Sequence, residues 1–340
     1  MTNNNLRVAI VGAGQMGADH IRRISTKING ADVVTVVEPN AERAAAAVAT
    51  LPGATTRSNI EDALANDELD AVLIATPGPY HEAVLIPALE AGVEILCEKP
   101  LTPDSVSSLR ILELEQKLDR PHIQIGFMRR FDAEYLQLRE LITSGDAGAV
   151  LALHCAHRNQ STGEGYTDSM LITDSVVHEI DTIPWLVGEP IVSVEVKKPR
   201  RNSLAPSWLN DPQLVLFETE SGVLADVEIN VNAQFGYQVT TEAVFERGVA
   251  EIGKTAGIRL WQDGRWGGSE HQSFTTRFAA AYDSQIQRWV NAARQGRIDG
   301  PNAFDGYLAA AVAEAGVEAQ KSGARVEVSY IARPDFYTQA

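Results

Sequence analysis

Leu6-Arg7-Val8-Ala9-Ile10-Val11-Gly12-Ala13-Gly14-Gln15-Met16-Gly17 decides the fold. A short apolar run, broken by Arg7, ends in glycines spaced G-x-G-x-x-G, and a helix-like run, Met16 to Lys27, follows. Alone, such glycines also make an ordinary turn. Between a strand and a helix they form a dinucleotide fingerprint. Gly12 permits the tight turn, Gly14 lets the backbone approach a pyrophosphate, and Gly17 lets helix and strand pack closely. The helix N-terminus presents free N–H groups to the phosphates. The candidate loop is thus Gly12, Ala13, Gly14, Gln15, Met16 and Gly17. Glu38 ends the next strand, about 20 residues after Gly17. A carboxylate there accepts ribose hydroxyls and repels a 2′-phosphate, which favours NAD over NADP. It is also readable as a solvated acidic strand end, and nearby Arg43 is able to host that phosphate.

Outward from this stretch, strands and helices alternate. Asp32 to Val37 is β-branched, Asn40 to Thr50 is alanine-rich and helical, and Ala71 to Ala75 is a continuous apolar strand stopped by Thr76-Pro77-Gly78-Pro79. His81 to Ala91 reads as a helix with Gly92 at its end. Val93 to Cys97, the helix Pro103 to Asp119 and the strand His122 to Phe127 complete the series. Strands without polar alternation, separated by helices, predict a doubly wound parallel Rossmann sheet covered on both faces, in an α/β protein.

The pattern changes near residue 128. Val150 to His157 is a strand, and Asp174 to Val187 a helix ended by Gly188. Ala225, Val227, Ile229 and Val231 alternate with Asp226, Glu228, Asn230 and Asn232, which predicts a largely antiparallel sheet with one wet face. Arg277 to Arg294 and Ala303 to Gln320 close the chain as helices. The expected domains are 1–126, a dinucleotide-binding Rossmann domain, and 127–340, a substrate-binding and oligomerisation domain.

Length and composition agree with this division. The chain has 340 residues, long for one core. It is 44% hydrophobic and 22% charged, as ordinary globular proteins are. A net charge of −16 argues against nucleic-acid and anionic-membrane partners, so local backbone dipoles must meet an anionic cofactor. The two cysteines, Cys97 and Cys155, read as buried free thiols of a reducing compartment. No Cys/His cluster has zinc spacing, so no metal is expected. The polar start fits no signal peptide, and a cytoplasmic enzyme is expected.

Oxidising a secondary alcohol needs a base for the hydroxyl proton and a group that stabilises alkoxide character. Asp174 and His178 are four residues apart, on one face of a helix, and Asp181 shares that face. The same acids are equally those of an ordinary helix N-terminus, where the dipole favours them. Lys99 follows the strand Val93 to Cys97, at the carboxyl end where doubly wound sheets bind ligands. It is otherwise an exposed loop lysine paired to Glu98.

Together these residues carry a resemblance. Gly12-x-Gly14-x-x-Gly17, Thr76-Pro77-x-x-x-His81, Glu98-Lys99-Pro100 and Asp174-x-x-x-His178 resemble the motifs of the glucose-fructose oxidoreductase/inositol dehydrogenase family (Gfo/Idh/MocA), in its order and at its spacing across the whole chain. Gly126 to Asp132, His157-Arg158-Asn159 and Phe235-Gly236-Tyr237 are similar to the family's inositol-oxidising bacterial branch. The resemblance implies a C-terminal α/β domain with an open, mostly antiparallel sheet, whose face packs on another subunit to give dimers and homotetramers. It implies that Lys99 binds the reacting hydroxyl, His178 is the general base and Asp174 orients both. Met128, Arg129, His157, Asn159, Thr173 and Tyr237 would line a polyol site with them. Thr76, Pro77, His81, Glu98 and Lys99 would lie at the cofactor, though His81 is nearly as readable as a core residue. The implied activity is NAD-dependent oxidation of myo-inositol. Alternatives are a relative acting on scyllo-inositol or an aldose and, more remotely, a non-catalytic NAD-binding regulator.

Overall fold

The computed structural model describes residues 5–254 and 256–338. The chain divides into two compact units. The first runs to Met128 and takes in Tyr282–Ala310 and the segment from Ile331; the second is Arg129–Ala281 with Ala311–Tyr330.

In the first unit, β1 (Leu6–Val11) leads through α1 (Gln15–Thr26), β2 (Ala31–Val37), α2 (Ala41–Val48), β3 (Thr55–Arg57) and α3 (Ile60–Asn66). β4 (Ala71–Ile74), α4 (His81–Glu90), β5 (Glu94–Cys97), α5 (Ser105–Glu115) and β6 (Ile123–Ile125) follow. The six strands are parallel, in the order β3-β2-β1-β4-β5-β6. β4, β5 and β6 are buried at every residue, as strands covered on both faces must be. Strand order reverses between β1 and β4, and ligands of such sheets bind at that switch point. Side chains cap α2, α3 and α5: Asn40, Asn59 and Asp104 each accept a backbone N–H. α1 begins at Gly14, with no side-chain cap and no acid in its first turn.

β3 and α3 lie outside the sequence reading. β3 is three residues long, sits at the sheet edge and shows no apolar run; α3 buries only Ile60 and Ala63.

The second unit begins with α6 (Ala133–Ser144) and β7 (Val150–Arg158). α7 (Asp168–Met170), a π-helical stretch Leu171–Val176 and α8 (Val177–Val187) follow. Then come β8 (Ile191–Lys197), β9 (Gln213–Thr219), β10 (Leu224–Asn230), β11 (Gln238–Phe245), β12 (Gly248–Ile252), the hairpin β13 (Ala256–Gln262) and β14 (Arg265–Ser269), and α9 (Phe274–Arg277). α10 (Ala279–Ala293), α11 (Ala303–Ser322) and β15 (Val326–Glu327) follow. The large sheet has the order β12-β11-β7-β10-β9-β8-β15. β10 and β7 are parallel; the other described pairs in it are antiparallel. The alternation read at Ala225 to Val231 is real: Ala225, Val227, Ile229 and Val231 are buried, and Asp226, Glu228 and Asn230 are half-buried.

Two expectations change. The helix expected from Asp174 begins at Val177, and Asp174 lies in the π-helical stretch before it. Such one-turn widenings are frequent at functional sites. The single break at 126 also changes, because the chain comes back after the second unit. Ile286, Trp289 and Val290 of α10 pack into one cluster with Val8, Ile10, Ile24, Leu73 and Leu96 of the first unit. Burying each such side chain stabilises by about 1.5–3 kcal/mol, which favours the return.

Candidate active site

The glycine loop behaves as its spacing demands. Gly12 has φ +93°, and a Cβ on it would lie 2.9 Å from the carbonyl oxygen of Ala75, after β4. A Cβ on Gly17 would lie 1.9 Å from the carbonyl oxygen of Gly12. Around Gly14, by contrast, nothing lies within 4 Å of an added Cβ. Gly12 and Gly17 are thus glycines for packing, while Gly14 opens onto empty space beside an uncapped helix end. That combination of room and unpaired N–H donors fits a pyrophosphate.

Glu38 is buried at the end of β2, its side chain only 4% exposed. Oε2 accepts the N–H of Ala13 at 3.0 Å, and Oε1 accepts the N–H of Asn40 and Nη2 of Arg43, both at 2.9 Å. Burial pushes the carboxyl up, but the bonds from Arg43, Asn40 and Ala13 outweigh it and hold the group below the ordinary carboxylate value. Glu38 is therefore ionised, and it pairs with Arg43, an arginine able to host a 2′-phosphate.

Thr76, Pro77 and His81 follow β4; Glu98 and Lys99 follow β5. His81 is buried and reaches two carbonyl oxygens, those of Pro100 at 2.7 Å and Thr76 at 2.8 Å. Pro77 is exposed, Thr76 and Lys99 are half-buried, and Thr76 Oγ1 is buried with no hydrogen-bond partner. Glu98 is not open to solvent: Oε1 meets His20 Nε2 at 2.8 Å.

In the second unit, Thr173 and Asp174 lie in the π-helical stretch and His178 in the first turn of α8. Tyr166 braces the stretch: its hydroxyl donates to the carbonyl of Met170 at 2.8 Å and lies 2.7 Å from Ser175 Oγ. Burial, then the negative charge of Asp174, raises the Tyr166 phenol above its ordinary value. The His157 ring, from the end of β7, lies 6.3 Å from that of His178 and 6.1 Å, edge-on, from that of Tyr237. Asn159 continues past β7; its N–H donates to the carbonyl of Asn230 at 2.9 Å, while its Oδ1 is buried without a partner. A buried orphan acceptor of this kind suits a hydroxyl-rich ligand.

Met128 and Arg129 are fully buried. Arg129 pairs with Glu179, and its Nη2 lies 3.2 Å from His157 Nδ1. Burial opposes both charges, yet the pair outweighs it: Glu179 is held down to about 2 and Arg129 raised above its usual value. Burial pushes the Tyr237 phenol up to about 12.

Sequence reasoning missed Glu179 and His20. The available signal for Glu179 was an acid set among Val176, Val177, Ile180 and Ile183. Asp181, read as sharing a polar stripe with Asp174 and His178, is instead bound by Arg130, at 2.6 Å from Nη2 and 3.0 Å from Nε. Among the described residues no helix is long and apolar enough to cross a membrane, and no His, Cys, Asp and Glu group could hold a metal ion.

The chain is similar to known proteins along its whole length. Residues 6–127 match the model of an oxidoreductase family with an NAD-binding Rossmann fold, and residues 135–251 match the GFO/IDH/MocA C-terminal domain. An inositol 2-dehydrogenase of Corynebacterium glutamicum is 62% identical over 336 residues, covering 98% of this chain and 99% of that protein. A crystal structure of a Lactobacillus casei myo-inositol dehydrogenase, in complex with NAD(H) and myo-inositol, superposes with a TM-score of 0.95 at 32% identity, covering 98% of this chain and all of that one. An apo scyllo-inositol dehydrogenase of the same organism gives 0.88 at 25% identity, covering 96% of this chain and 99% of that one.

Proposed function

The chain belongs to the Gfo/Idh/MocA oxidoreductase family, and from this premise we propose that it is an inositol 2-dehydrogenase, which oxidises myo-inositol to 2-keto-myo-inositol (scyllo-inosose) in inositol catabolism. The end-to-end 62% identity to an inositol 2-dehydrogenase carries the reading. Gly14 and Glu38 would hold NAD, which supplies the hydride acceptor when bound.

The residues divide the remaining work. Lys99 binds the reacting hydroxyl and stabilises its developing charge. His178 takes the hydroxyl proton as general base, since an imidazole titrates near neutral pH. Asp174 orients both. Met128, Arg129, His157, Asn159, Thr173 and Tyr237 line the rest of the polyol site and meet the other hydroxyls. The stereoisomer that leaves one of these groups unpaired loses affinity, which is how such a site selects its polyol. Residues from 127 onward, less the returning segments, form the substrate-binding and oligomerisation part, and the enzyme is a cytoplasmic homotetramer. Two free thiols, Cys97 and Cys155, support a reducing compartment.

Steady-state assays with purified protein, NAD and a panel of myo-inositol, scyllo-inositol, glucose and xylose test this reading. Myo-inositol is expected to give the highest kcat/KM. A higher value for scyllo-inositol or an aldose sinks the substrate assignment, and NAD binding without turnover of any polyol supports a regulator instead. Light scattering on the eluting protein tests the tetramer.

A further inference from the structure

Two buried histidines flank the turn that carries Lys99. His20 lies in the second turn of α1, and His81 opens α4; neither is exposed to solvent. His20 Nε2 is 2.8 Å from Glu98 Oε1, while Glu98 Oε2 accepts the N–H of Lys99 at 3.3 Å. On the other side of the lysine, His81 Nδ1 is 2.7 Å from the carbonyl oxygen of Pro100, and its Nε2 is 2.8 Å from that of Thr76. The residue before Lys99 is thus held by its side chain and the residue after it by its backbone. Gly126 leaves room for this: a Cβ there would lie 2.9 Å from Glu98 Oε2.

Counting hydrogens distinguishes the two rings. His20 Nδ1 has no hydrogen-bond partner, so a single hydrogen on Nε2 serves Glu98. Carbonyl oxygens only accept, so His81 makes both of its bonds only with a hydrogen on each nitrogen. The Cys97 sulfur lies 3.4 Å from His81 Nδ1, and burial raises that thiol well above its usual value, so it sits there neutral.

We propose that His20 and His81 are positioning residues for Lys99: His20 anchors Glu98, and His81, with both ring nitrogens protonated, staples Pro100 to Thr76. The two rings thereby tie the lysine to the two segments that meet the cofactor, the helix after the glycine loop and the loop after β4. This rests on the reading of Lys99 as the group that binds the reacting hydroxyl. Side chains of this kind, packed and hydrogen-bonded around a reactive group, hold it within the tolerance chemistry needs.

The test compares full-length His20→Phe, His20→Gln, His81→Phe, His81→Gln and Lys99→Ala. Each is measured for kcat, for KM of NAD and of myo-inositol, and for melting temperature. Both Phe variants are expected to lose about 10-fold or more in kcat, with the KM for NAD within about threefold of the parent, because a displaced reactive group costs rate. His20→Gln should regain part of the loss, since an amide donates the one hydrogen Glu98 needs. His81→Gln should not, since it reaches one carbonyl only. A long-range proton–nitrogen spectrum of the parent, assigned with His81→Gln, should show both His81 nitrogens protonated. Folded His variants with parental kcat, or a neutral His81 tautomer, overturn the proposal. If the Phe variants do not fold, the Gln variants and the spectrum decide it. Turnover surviving in Lys99→Ala overturns the reading of the lysine and the proposal with it; a dead Lys99→Ala beside normal His variants overturns the proposal alone.

Discussion

Glu179 Oε2 stands 3.1 Å from His157 Nδ1, while its other oxygen is held by Arg129. One carboxylate therefore anchors an arginine and a histidine together. Breaking such a pair leaves a buried, uncompensated guanidinium. Glu179→Gln is expected to destabilise the fold by about 3–5 kcal/mol, measured by urea unfolding. Arg129→Met combined with Glu179→Leu should be more stable than Glu179→Gln, because no lone charge remains. A double variant no better than the single one contradicts this account.

The glycines of the loop should separate folding from binding. At Gly17 a methyl group meets the carbonyl of Gly12 at 1.9 Å, so Gly17→Ala must move backbone and should lower the melting temperature. At Gly14 a methyl group meets nothing, so Gly14→Ala should melt like the parent yet bind NAD at least about 10-fold more weakly, by intruding on the pyrophosphate. Calorimetric NAD titration and thermal melting check both. Parental NAD affinity in Gly14→Ala would remove the phosphate from this end of α1.

Cofactor choice should turn on Glu38. Its carboxylate ties up Arg43 at 2.9 Å. Glu38→Ala removes the repulsion toward a 2′-phosphate and releases the arginine in one step. The ratio of kcat/KM with NADP to that with NAD should rise by about 10-fold or more, the worth of one charge-assisted hydrogen bond. A parent that uses both cofactors equally, or a variant whose ratio does not move, rules this out.

How far the sequence carries such arguments depends on the range of the interaction. Leu6–Val11 and the glycine loop are legible because strand burial and the turn are local, and Ala225 to Val231 is legible because period two is local. Thr55–Arg57 is silent, since an exposed three-residue edge strand needs no apolar pattern. The π-helical stretch at Leu171–Val176 is silent too, because no side chain in it marks the change of hydrogen-bond register. Glu179 and His20 acquire meaning only through partners 50 and 78 residues away, Arg129 and Glu98. Trp289 reads as a residue of the closing helix, and only folding puts it in the core of the first unit.

That return yields a further expectation. Trp289 is 1% exposed and packs in the cluster with Val8, Ile10 and Leu73. Trp289→Ala should cost about 3–5 kcal/mol of stability, as large-to-small changes at buried aromatics do. The loss should appear in the unit holding the glycine loop, so hydrogen exchange of β1 and β4 amides should accelerate. Acceleration confined to β7 to β11 would assign the helix elsewhere.

Glu115 provides the pH signature of the fold. It is fully buried, its Oε1 accepts the N–H groups of His122 and Ile123 at 2.7 Å, and its Oε2 takes the Tyr337 hydroxyl at 2.7 Å. Burial, the largest influence, lifts its carboxyl from 4.5 to about 7, although these three donors pull it down. The folded state thus binds this proton more tightly than the unfolded chain. Stability from the group is complete below pH 4.5 and is lost as pH rises through about 7. Glu115→Gln keeps an oxygen for the two N–H groups and does not titrate. Relative to the parent it should gain stability between pH 5 and 8, by at most about 3 kcal/mol for a shift of this size. Urea midpoints across that range measure the difference. A difference that stays flat, or that falls as pH rises, means Glu115 is ionised throughout in the folded protein.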